Sequence, residues 1–363
     1  MDTSLFDYDL PKERIAQQPA DQRDASRLLV VHREERRIEH RRFSDLIDYV
    51  RPTDQFFRNA ARVLPARIYA QRPTGGRVEC LLLRPGGRDE PSGTENWWCL
   101  LRPGRKLPVG SSFGLSGTFS ATVLDKNENA EYLVGFKLPP SSSVARLAES
   151  HGKMPLPPYI ERQRDDERDD ADKDRYQTVY ANNDRAVAAA APTAGLHFTD
   201  TLTKEIETLG ATFHDLVLHV GMGTFKPLDE GKVEDHEIHR ELYEVPVEAQ
   251  RALREAPSLG QRRICVGTTS VRSVEDYLQK TDHVHESGYI DEARLFIYPP
   301  SSFSGVDALI TNFHMPKSTL LCLVSSFLSP NKTDGIDWLK TIYAEAIQRK
   351  YRFLSYGDAM LIL

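Results

Sequence analysis

The middle of the chain, residues 59–150, consists of short apolar runs separated by turn residues, with no helical periodicity between them. Strand-like runs occupy residues 78–83, 97–101, 118–124 and 131–136. Glycine, proline and asparagine lie between the runs, as expected of turns. Regular short strands without intervening helices are typical of a small closed β-barrel or a sandwich. We therefore predict a separate all-β unit here.

Both flanks of this segment show strand-like and helix-like runs in alternation. Leu202 and Ile206, for example, are spaced for one face of a helix that Thr199 can cap. At 363 residues the chain is longer than most single cores allow. The sequence therefore predicts a mixed α and β fold with two domains: an α/β domain from residues 1–58 and 151–363, and an inserted β-barrel domain from residues 59–150.

Charge is distributed unevenly along the chain. The formal net charge is -6, so no global positive field attracts nucleic acid, although the basic run at residues 102–106 can act locally. The charge distribution therefore neither requires nor excludes an RNA partner. Residues 161–175 contain almost only charged side chains and cannot bury an apolar face. We expect a solvated or disordered connector there.

The cysteines and the hydropathy pattern bear on the cellular compartment. Cys80, Cys99, Cys265 and Cys322 lie far apart and inside apolar runs, which is typical of free buried thiols rather than of a disulfide framework or a zinc site. The N-terminus has no basic segment followed by an apolar one, and no run of about 20 apolar residues occurs. We predict a cytoplasmic protein that does not insert into a membrane.

Four short segments in the second half carry the residues suited to chemistry. These islands span residues 192–199, 219–227, 266–273 and 309–319. At least three of them show an apolar run, then small, polar and ionisable residues, then the start of a helix. An α/β protein builds its site in this way at the carboxyl ends of its strands. We therefore predict a catalytic or ligand-binding pocket.

The first two islands offer a histidine each beside small residues. In the first, Thr193 and Gly195 precede His197, which is a candidate general acid or base, or else a structural histidine at a strand-helix junction. In the second, His219 is followed by Gly221, Gly223 and Thr224. The glycines let the backbone approach a ligand, but a plain turn explains them equally well, and the dinucleotide-binding pattern is incomplete.

The other two islands place polar side chains at predicted helix starts. These residues are Thr268, Thr269, Ser270 and Arg272 in the third island, and Asn312, His314 and Lys317 in the fourth. Backbone amides and hydroxyls at a helix start can bind an anion or a ribose, and arginine can pair with a carboxylate or phosphate. Helix capping alone is the other explanation of the hydroxyls.

Residues 236–241 (HEIHRE) combine two histidines with carboxylates and raise the question of a metal. Their spacing is not that of a zinc protease, and the segment leads into strand-like alternation. We expect a polar strand at the rim of the pocket and no metal.

The chain closely resembles the S-adenosylmethionine:tRNA ribosyltransferase-isomerase family of the queuosine pathway. The similarity covers nearly the whole length: it includes all four islands and the motifs DYDLP at residues 7–11, RDASRL at 23–28, LPPYI at 156–160, YQTVY at 176–180 and SYGDAM at 355–360. Several of these motifs are long and are not generic to any larger fold class.

The resemblance implies a barrel-centred α/β domain with an inserted β-barrel. It also implies the reaction. The ribosyl part of S-adenosylmethionine joins the aminomethyl group of a 7-deazaguanine base at the tRNA wobble position and rearranges to an epoxycyclopentanediol, with release of adenine and methionine. No cofactor or metal beyond this donor substrate is expected, and we expect a monomer.

The reaction's demands suggest roles for the candidate residues. His197 or His219 could accept the proton of the attacking amine, and His314 could assist the departure of adenine. Arg272 is expected to pair with the methionine carboxylate of the donor. Lys317, Arg67 and Arg102 are expected to contact tRNA phosphates.

The chain departs from the family pattern at residues 59–62 (NAAR), at residues 298–301 (YPPS) and in its longer charged connector. Any role of the family's acid and hydroxyl at the first of these places does not carry over. A non-catalytic RNA-binding protein and an S-adenosylmethionine-dependent methyltransferase therefore remain alternatives.

Overall fold

The computed structural model describes residues 1–89, 93–163, 166–188, 190–219, 228 and 230–363, without the side chains of residues 185–188. The strands of this part are β1 (Arg27–His32), β2 (Arg37–Arg42), β3 (Gln55–Asn59), β4 (Ala61–Val63), β5 (Arg67–Gln71), β6 (Arg77–Asp89), β7 (Thr94–Arg102), β8 (Ser112–Leu115), β9 (Phe119–Lys126), β10 (Tyr132–Lys137), β11 (Asn182–Ala188), β12 (Thr212–Leu218), β13 (Glu241–Val245), β14 (Arg263–Val266), β15 (Tyr289–Ala293), β16 (Ala308–Asn312) and β17 (Ala359–Ile362). The α-helices are α1 (Val144–His151), α2 (Asp169–Arg175), α3 (Asp200–Thr208), α4 (Val247–Glu255), α5 (Thr268–Lys280), α6 (Thr319–Leu328) and α7 (Gly335–Gln348).

Nine strands form one mixed sheet in the order β15-β13-β12-β3-β14-β16-β17-β1-β2. Its centre is parallel, because β12, β3, β14 and β16 all run in one direction. No pairing joins the end strands β15 and β2 among the described residues. The resemblance implies that the α/β domain is centred on a barrel. The strand pairings of the described residues form a large sheet with helices packed on it.

Four strands of the sheet, β1, β14, β16 and β17, are buried along nearly their whole length, which explains why they read as largely continuous apolar runs. In β1, Leu28 and Val30 pack in one core with Leu202 of α3. The alternate residues Leu29 and Val31 belong to the opposite core, which α4, α5, α6 and α7 cover. The period-two alternation of a strand thus supplies two cores from a single run.

The all-β unit is a closed barrel of six antiparallel strands in the order β10-β7-β6-β5-β8-β9. Its strands run from Arg67 to Lys137 and enclose a separate apolar core that α1 also joins. The prediction of a mixed α and β fold with an all-β barrel is therefore confirmed. The domain limits, at residues 58 and 151, stay predictions.

The charged run at residues 161–175 was expected to be a solvated or disordered connector, and its last part departs from a disordered one. Residues 169–175 form α2, and Asp172 of this helix is buried. Its carboxylate pairs with Arg162 at 2.6 Å and accepts a hydrogen bond from Tyr356 at 2.8 Å. A buried charge is tolerated when paired and hydrogen-bonded in this way, and composition does not reveal such partners.

Asn59, at the start of the NAAR departure, joins three strands. Its Oδ1 accepts hydrogen bonds from the backbone N–H groups of Ala61 and Leu218, both at 3.0 Å. Its Nδ2 donates to the carbonyl oxygen of Leu218 at 3.2 Å. The segment is therefore a buried structural junction of β3, β4 and β12.

The prediction for the cysteines is confirmed. All four cysteines are free and buried. In the part of the chain that the structure describes, no helix has the length and apolar character needed to cross a membrane.

Candidate active site

A cleft of about 800 Å³, partly open to solvent, lies at the carboxyl ends of β14 and β16. Three islands line it: residues 192–194 from the first, 267–269 from the third, and 311–316 with 318 from the fourth. Since β14 and β16 are parallel neighbours, the residues that follow them emerge side by side. The structure thus brings three of the four predicted islands together.

The second island lies mostly outside the described residues, and Gly221, Gly223 and Thr224 are among those not described. His219 follows β12. Its backbone N–H donates to the carbonyl oxygen of Leu242 at 2.9 Å, and its Nε2 lies 3.8 Å from Oε1 of Glu244.

Four side chains form a buried hydrogen-bonded chain that ends in the cleft. Nδ1 of His197 lies 2.8 Å from Oγ of Ser26, and its Nε2 lies 3.1 Å from Nδ2 of Asn312. Oδ1 of Asn312 accepts a hydrogen bond from Oγ1 of Thr193 at 2.9 Å. Because the amide Nδ2 is a donor, Nε2 of His197 accepts, and Nδ1 donates to Ser26. The chain fixes the orientation of both Asn312 and Thr193 in the cleft.

Gly195 lies in the same short 3-10 helix, Thr193–His197, but it does not line the cleft. A Cβ atom at this position would lie 1.9 Å from the hydroxyl of Tyr180. Glycine is therefore explained here by close packing.

His314 lines the cleft and is held on several sides. Its Nε2 lies 2.9 Å from Oγ1 of Thr311, and its backbone N–H donates to the hydroxyl of Tyr343 at 3.0 Å. Tyr8 donates a hydrogen bond to the carbonyl oxygen of His314. The DYDLP motif, which carries no evident chemistry in the sequence, thus contributes to the support of this histidine.

Burial controls the protonation of both histidines. It lowers the pKa of His197 to about 3, and the charges of Arg352 and Arg23 act in the same direction. Burial alone lowers the pKa of His314 to about 3. Both rings are therefore neutral near pH 7. Neither carries the proton expected of a general acid, and each is a weak base.

The start of α5 forms the wall opposite the first island. Gly267 has φ +90, a left-handed conformation that favours glycine, and this turn directs Thr268 and Thr269 to the cleft. Ser270 points elsewhere, since its Oγ donates to the carbonyl oxygen of Val266 at 2.8 Å. Two of the three predicted hydroxyl residues therefore line the cleft.

Arg272 does not reach the cleft. Its guanidinium is buried and pairs with Glu241, with Nη1 at 2.5 Å from Oε2. Further donors reach the carbonyl oxygens of His239 at 3.2 Å and Ala293 at 3.4 Å. Arginine and glutamate neutralise each other here, so the charge expected to bind the donor carboxylate is already paired.

The residues predicted to bind tRNA lie in two places. Arg67 and Arg102 both line a groove of about 1250 Å³ between the barrel and residues 153–172, which we name the junction groove. Arg67 lies 3.4 Å from the Glu79 carboxylate. Lys317 is near the cleft but does not line it, and its Nζ lies 3.3 Å from Asp7.

Residues 236–240 do not form the expected strand, which begins at Glu241. His236 and His239 line a smaller cavity with Glu241 and Arg272. No group of three or more histidine, cysteine, aspartate or glutamate side chains suited to a metal occurs in the part of the chain that the structure describes. The expectation that no metal is needed stays a prediction.

Two cleft residues had no predicted role. The hydroxyl of Tyr159 and Oγ of Ser355 are 2.6 Å apart, and both residues line the cleft. Burial raises the pKa of Tyr159 to about 12, so its hydroxyl keeps its proton. Tyr159 belongs to the LPPYI motif and Ser355 to the SYGDAM motif. In the sequence, only their place in these family motifs could have marked them as site residues.

The described lining of the cleft carries no formal charge near neutral pH. Among the described residues that line it, none is a lysine, arginine, aspartate or glutamate, and its one histidine is neutral. Hydroxyls, an amide and backbone groups supply its polarity. Such a site suits the hydrogen-bonding edges of a neutral heterocycle or a ribose rather than an isolated ion.

Comparison with known proteins identifies the family. A family model described as "Queuosine biosynthesis protein" matches residues 3–362. The S-adenosylmethionine:tRNA ribosyltransferase-isomerases of Thermotoga maritima and Symbiobacterium thermophilum are each 44% identical, with 100% of both chains covered. A crystal structure of S-adenosylmethionine tRNA ribosyltransferase from Thermotoga maritima matches with TM-score 0.54 and 37% identity, covering 99% of this chain and 100% of that one. The chain therefore belongs to the queuosine biosynthesis protein family.

Proposed function

We propose that this protein is an S-adenosylmethionine:tRNA ribosyltransferase-isomerase. It transfers the ribosyl moiety of S-adenosylmethionine to the 7-aminomethyl-7-deazaguanine base at the tRNA wobble position and isomerises it. The product is epoxyqueuosine-tRNA, and adenine and methionine are released. The observation that carries this proposal is the uncharged cleft, formed by three islands at the ends of parallel strands, in a chain that matches the named relatives over their full length.

The cleft suits the two bases that must meet during the reaction. Asn312 offers an amide, and Thr193, Thr268 and Thr269 offer hydroxyls for ring edges and ribose hydroxyls. The hydrogen-bonded chain through His197 holds Asn312 and Thr193 in place before a substrate arrives. Preorganised groups of this kind lower the barrier because little reorganisation accompanies the reaction.

The uncharged wall also helps the nucleophile. An aminomethyl group is protonated in water, and the protonated form cannot attack. Transfer into a site whose described lining residues include no carboxylate disfavours the ammonium form and lowers its pKa. Desolvation therefore supplies neutral amine, and its proton can leave through His219 or through water on entry.

His197 and His314 act as neutral groups in this proposal. His197 positions Asn312, and so it is a positioning residue rather than a proton carrier. His314, which lines the cleft, can place a neutral ring beside the departing adenine. The roles first expected for them as acid and base are thus replaced by hydrogen bonding.

We propose that the tRNA backbone crosses the junction groove, where Arg67 and Arg102 contact phosphates, and that Lys317 contacts a phosphate beside the cleft.

Three further parts of the proposal concern the enzyme as a whole. Turnover needs no metal or further cofactor, the enzyme is a monomer, and it works in the cytoplasm.

Product analysis tests the proposal. The purified protein is incubated with S-adenosylmethionine and tRNA that carries the aminomethyl base, and the small molecules are separated by chromatography. Free adenine and methionine in equal amounts are expected. S-Adenosylhomocysteine would show a methyltransferase, and tRNA binding without any of these products would show a binding protein.

A further inference from the structure

A further pocket of about 260 Å³, part of it open to solvent, adjoins the cleft. Three arginines from separate segments line it: Arg23 from the RDASRL motif, Arg175 from the end of α2, and Arg352 from the segment before β17. Ser355 lines both this pocket and the cleft. None of these arginines has a role in the function described above. We name this cavity the arginine pocket.

His197 separates the two cavities. Its Nδ1 edge meets Ser26, which lines the arginine pocket, and its Nε2 edge meets Asn312, which lines the cleft. A ligand held in the cleft therefore faces a buried ring on this side. The arginine pocket is therefore a neighbouring cavity, divided from the cleft on this side by the ring of His197.

Backbone carbonyl groups fix the three guanidinium groups. Arg23 donates to the carbonyl oxygens of Leu196 at 3.2 Å and Asp174 at 2.9 Å. Arg175 donates to those of Asp21 at 3.2 Å and Ala20, and Arg352 donates to that of Gln18 at 3.2 Å. Carbonyl groups orient an arginine without neutralising its charge, so the cationic groups are preorganised.

The carboxylates nearby offset only part of this charge. Arg352 lies 3.6 Å from Asp358, whose oxygens also accept from the backbone N–H groups of Arg27 and Arg352. Asp24 accepts from Thr199. Asp174 and Asp200 act on Arg23 only at longer range. Within the described residues, neither Arg23 nor Arg175 forms an ion pair.

Two further observations are consistent with an anion-binding pocket. Nε of Arg175 is buried and has no hydrogen-bond partner among the described residues. Burial, and then the positive charge of Arg175, lower the pKa of Arg23, while the charges of Asp174 and Asp200 act in the opposite direction. An anion bound between the guanidinium groups of Arg23 and Arg175 would relieve the repulsion between them.

We propose that the arginine pocket binds one backbone phosphate of the tRNA, next to the nucleotide whose base enters the cleft. This inference rests on the proposed function, since it requires tRNA as the substrate. Guanidinium forks match the oxygen geometry of a phosphodiester. A base that is turned out of its stack needs its flanking backbone held, and the shared wall at Ser355 puts the pocket beside that backbone.

The first test uses Arg175→Gln, Arg175→Lys and Arg36→Gln as the control. Arg36 is an exposed arginine paired with Asp334, so the control removes the same charge elsewhere. Arg175→Gln should weaken tRNA binding about tenfold and flatten the plot of log affinity against log salt by about 0.7 to 0.9. Arg175→Lys should restore the slope but not the full affinity. Affinity for S-adenosylmethionine should stay unchanged in all variants.

The second test leaves the protein unaltered and therefore does not depend on how the variants fold. Anticodon stem-loops are synthesised with one uncharged methylphosphonate linkage at each position within two nucleotides of the wobble base. One position should bind the wild-type protein about tenfold more weakly, and Arg175→Gln should show no further loss there.

Two outcomes would overturn the proposal. A flat methylphosphonate scan with the wild-type protein would show that no phosphate occupies the pocket. Weakened S-adenosylmethionine binding with an unchanged tRNA salt slope in Arg175→Gln would assign the pocket to the donor carboxylate. Release of adenine and methionine is measured separately, so a failure of the phosphate site is distinguishable from a failure of the proposed function.

Discussion

The cleft and the junction groove differ in how they can recognise a ligand. The cleft has no charged lining residue among those described, and its polar groups are held by buried hydrogen bonds. The groove is lined by charged side chains of both signs, including Arg67, Arg102 and Glu79. Neutral, fixed groups select by geometry, whereas mobile charges attract a phosphate backbone of any sequence. Under the proposed function, the cleft would select the substrate chemically and the groove would capture the tRNA electrostatically.

Arg272→Ala tests whether Arg272 supplies a positive charge to the cleft. Of the changes considered, it should have the largest effect, and that effect should be on stability. The change leaves the buried Glu241 carboxylate without its partner, so the free energy of unfolding should fall by about 3–5 kcal/mol, measured by denaturant titration. Glu241→Gln should cost a comparable amount. S-Adenosylmethionine affinity of the folded variant should not change. Normal stability with tenfold weaker donor binding would place a cation in the cleft after all.

Asn312→Ala tests geometric selection in the cleft. It removes the link between His197 and Thr193, so kcat/KM should fall about a hundredfold because the polar groups lose their fixed positions. Thr193→Val removes only one hydroxyl and should cost less. The salt dependence of tRNA binding should be the same in both variants as in the wild type. A changed salt slope would mean that the cleft also contributes to electrostatic capture.

At acid pH, His197 should become protonated and place a positive charge beside the cleft. Its pKa in the folded protein is about 3, below the ordinary value of 6.5, so the unfolded chain binds more protons between these pH values. The stability due to neutral His197 is therefore complete above about pH 6.5 and is lost as the pH falls toward 3, by up to about 1.4 kcal/mol per pH unit. His197→Gln should show a shallower decline in urea unfolding across this range. His283→Gln, at an exposed position, should decline like the wild type.

Replacing both Arg67 and Arg102 with alanine tests capture in the junction groove. The salt dependence of tRNA binding should flatten by up to about two counterions, while S-adenosylmethionine binding stays unchanged. Arg84→Ala, which removes a barrel arginine paired with Glu131, is the control. An unaltered salt slope in the double variant would move the RNA surface away from this groove.

Removal of metal ions by a chelator should have no effect on turnover, which is the smallest effect expected here. If the neutral cleft works without a hidden cation, turnover measured by adenine release should persist after dialysis against a chelator. Loss of turnover that zinc restores would show that a metal supplies charge to the site, and the cavity lined by His236, His239 and Glu241 would then be the place to examine.

The sequence by itself determined the features that depend on local pattern. Short strands without helices predicted the barrel, and alternating strand and helix patterns predicted the large sheet with its helices. The polar residues that follow β14 and β16 predicted the cleft, because parallel strands place their carboxyl ends side by side. The motifs marked Tyr159 and Ser355 but did not reveal that they meet there.

Only the tertiary structure decided which charges remain available. Arg272 pairs with Glu241, 31 residues away, and Asp172 in the charged run is buried against Tyr356, 184 residues away. His197 meets Ser26 across 171 residues and loses its basicity to burial. Arg23, Arg175 and Arg352 converge from three segments. Periodicity is a local property of the chain, whereas pairing and desolvation depend on groups that only the folded chain brings into contact.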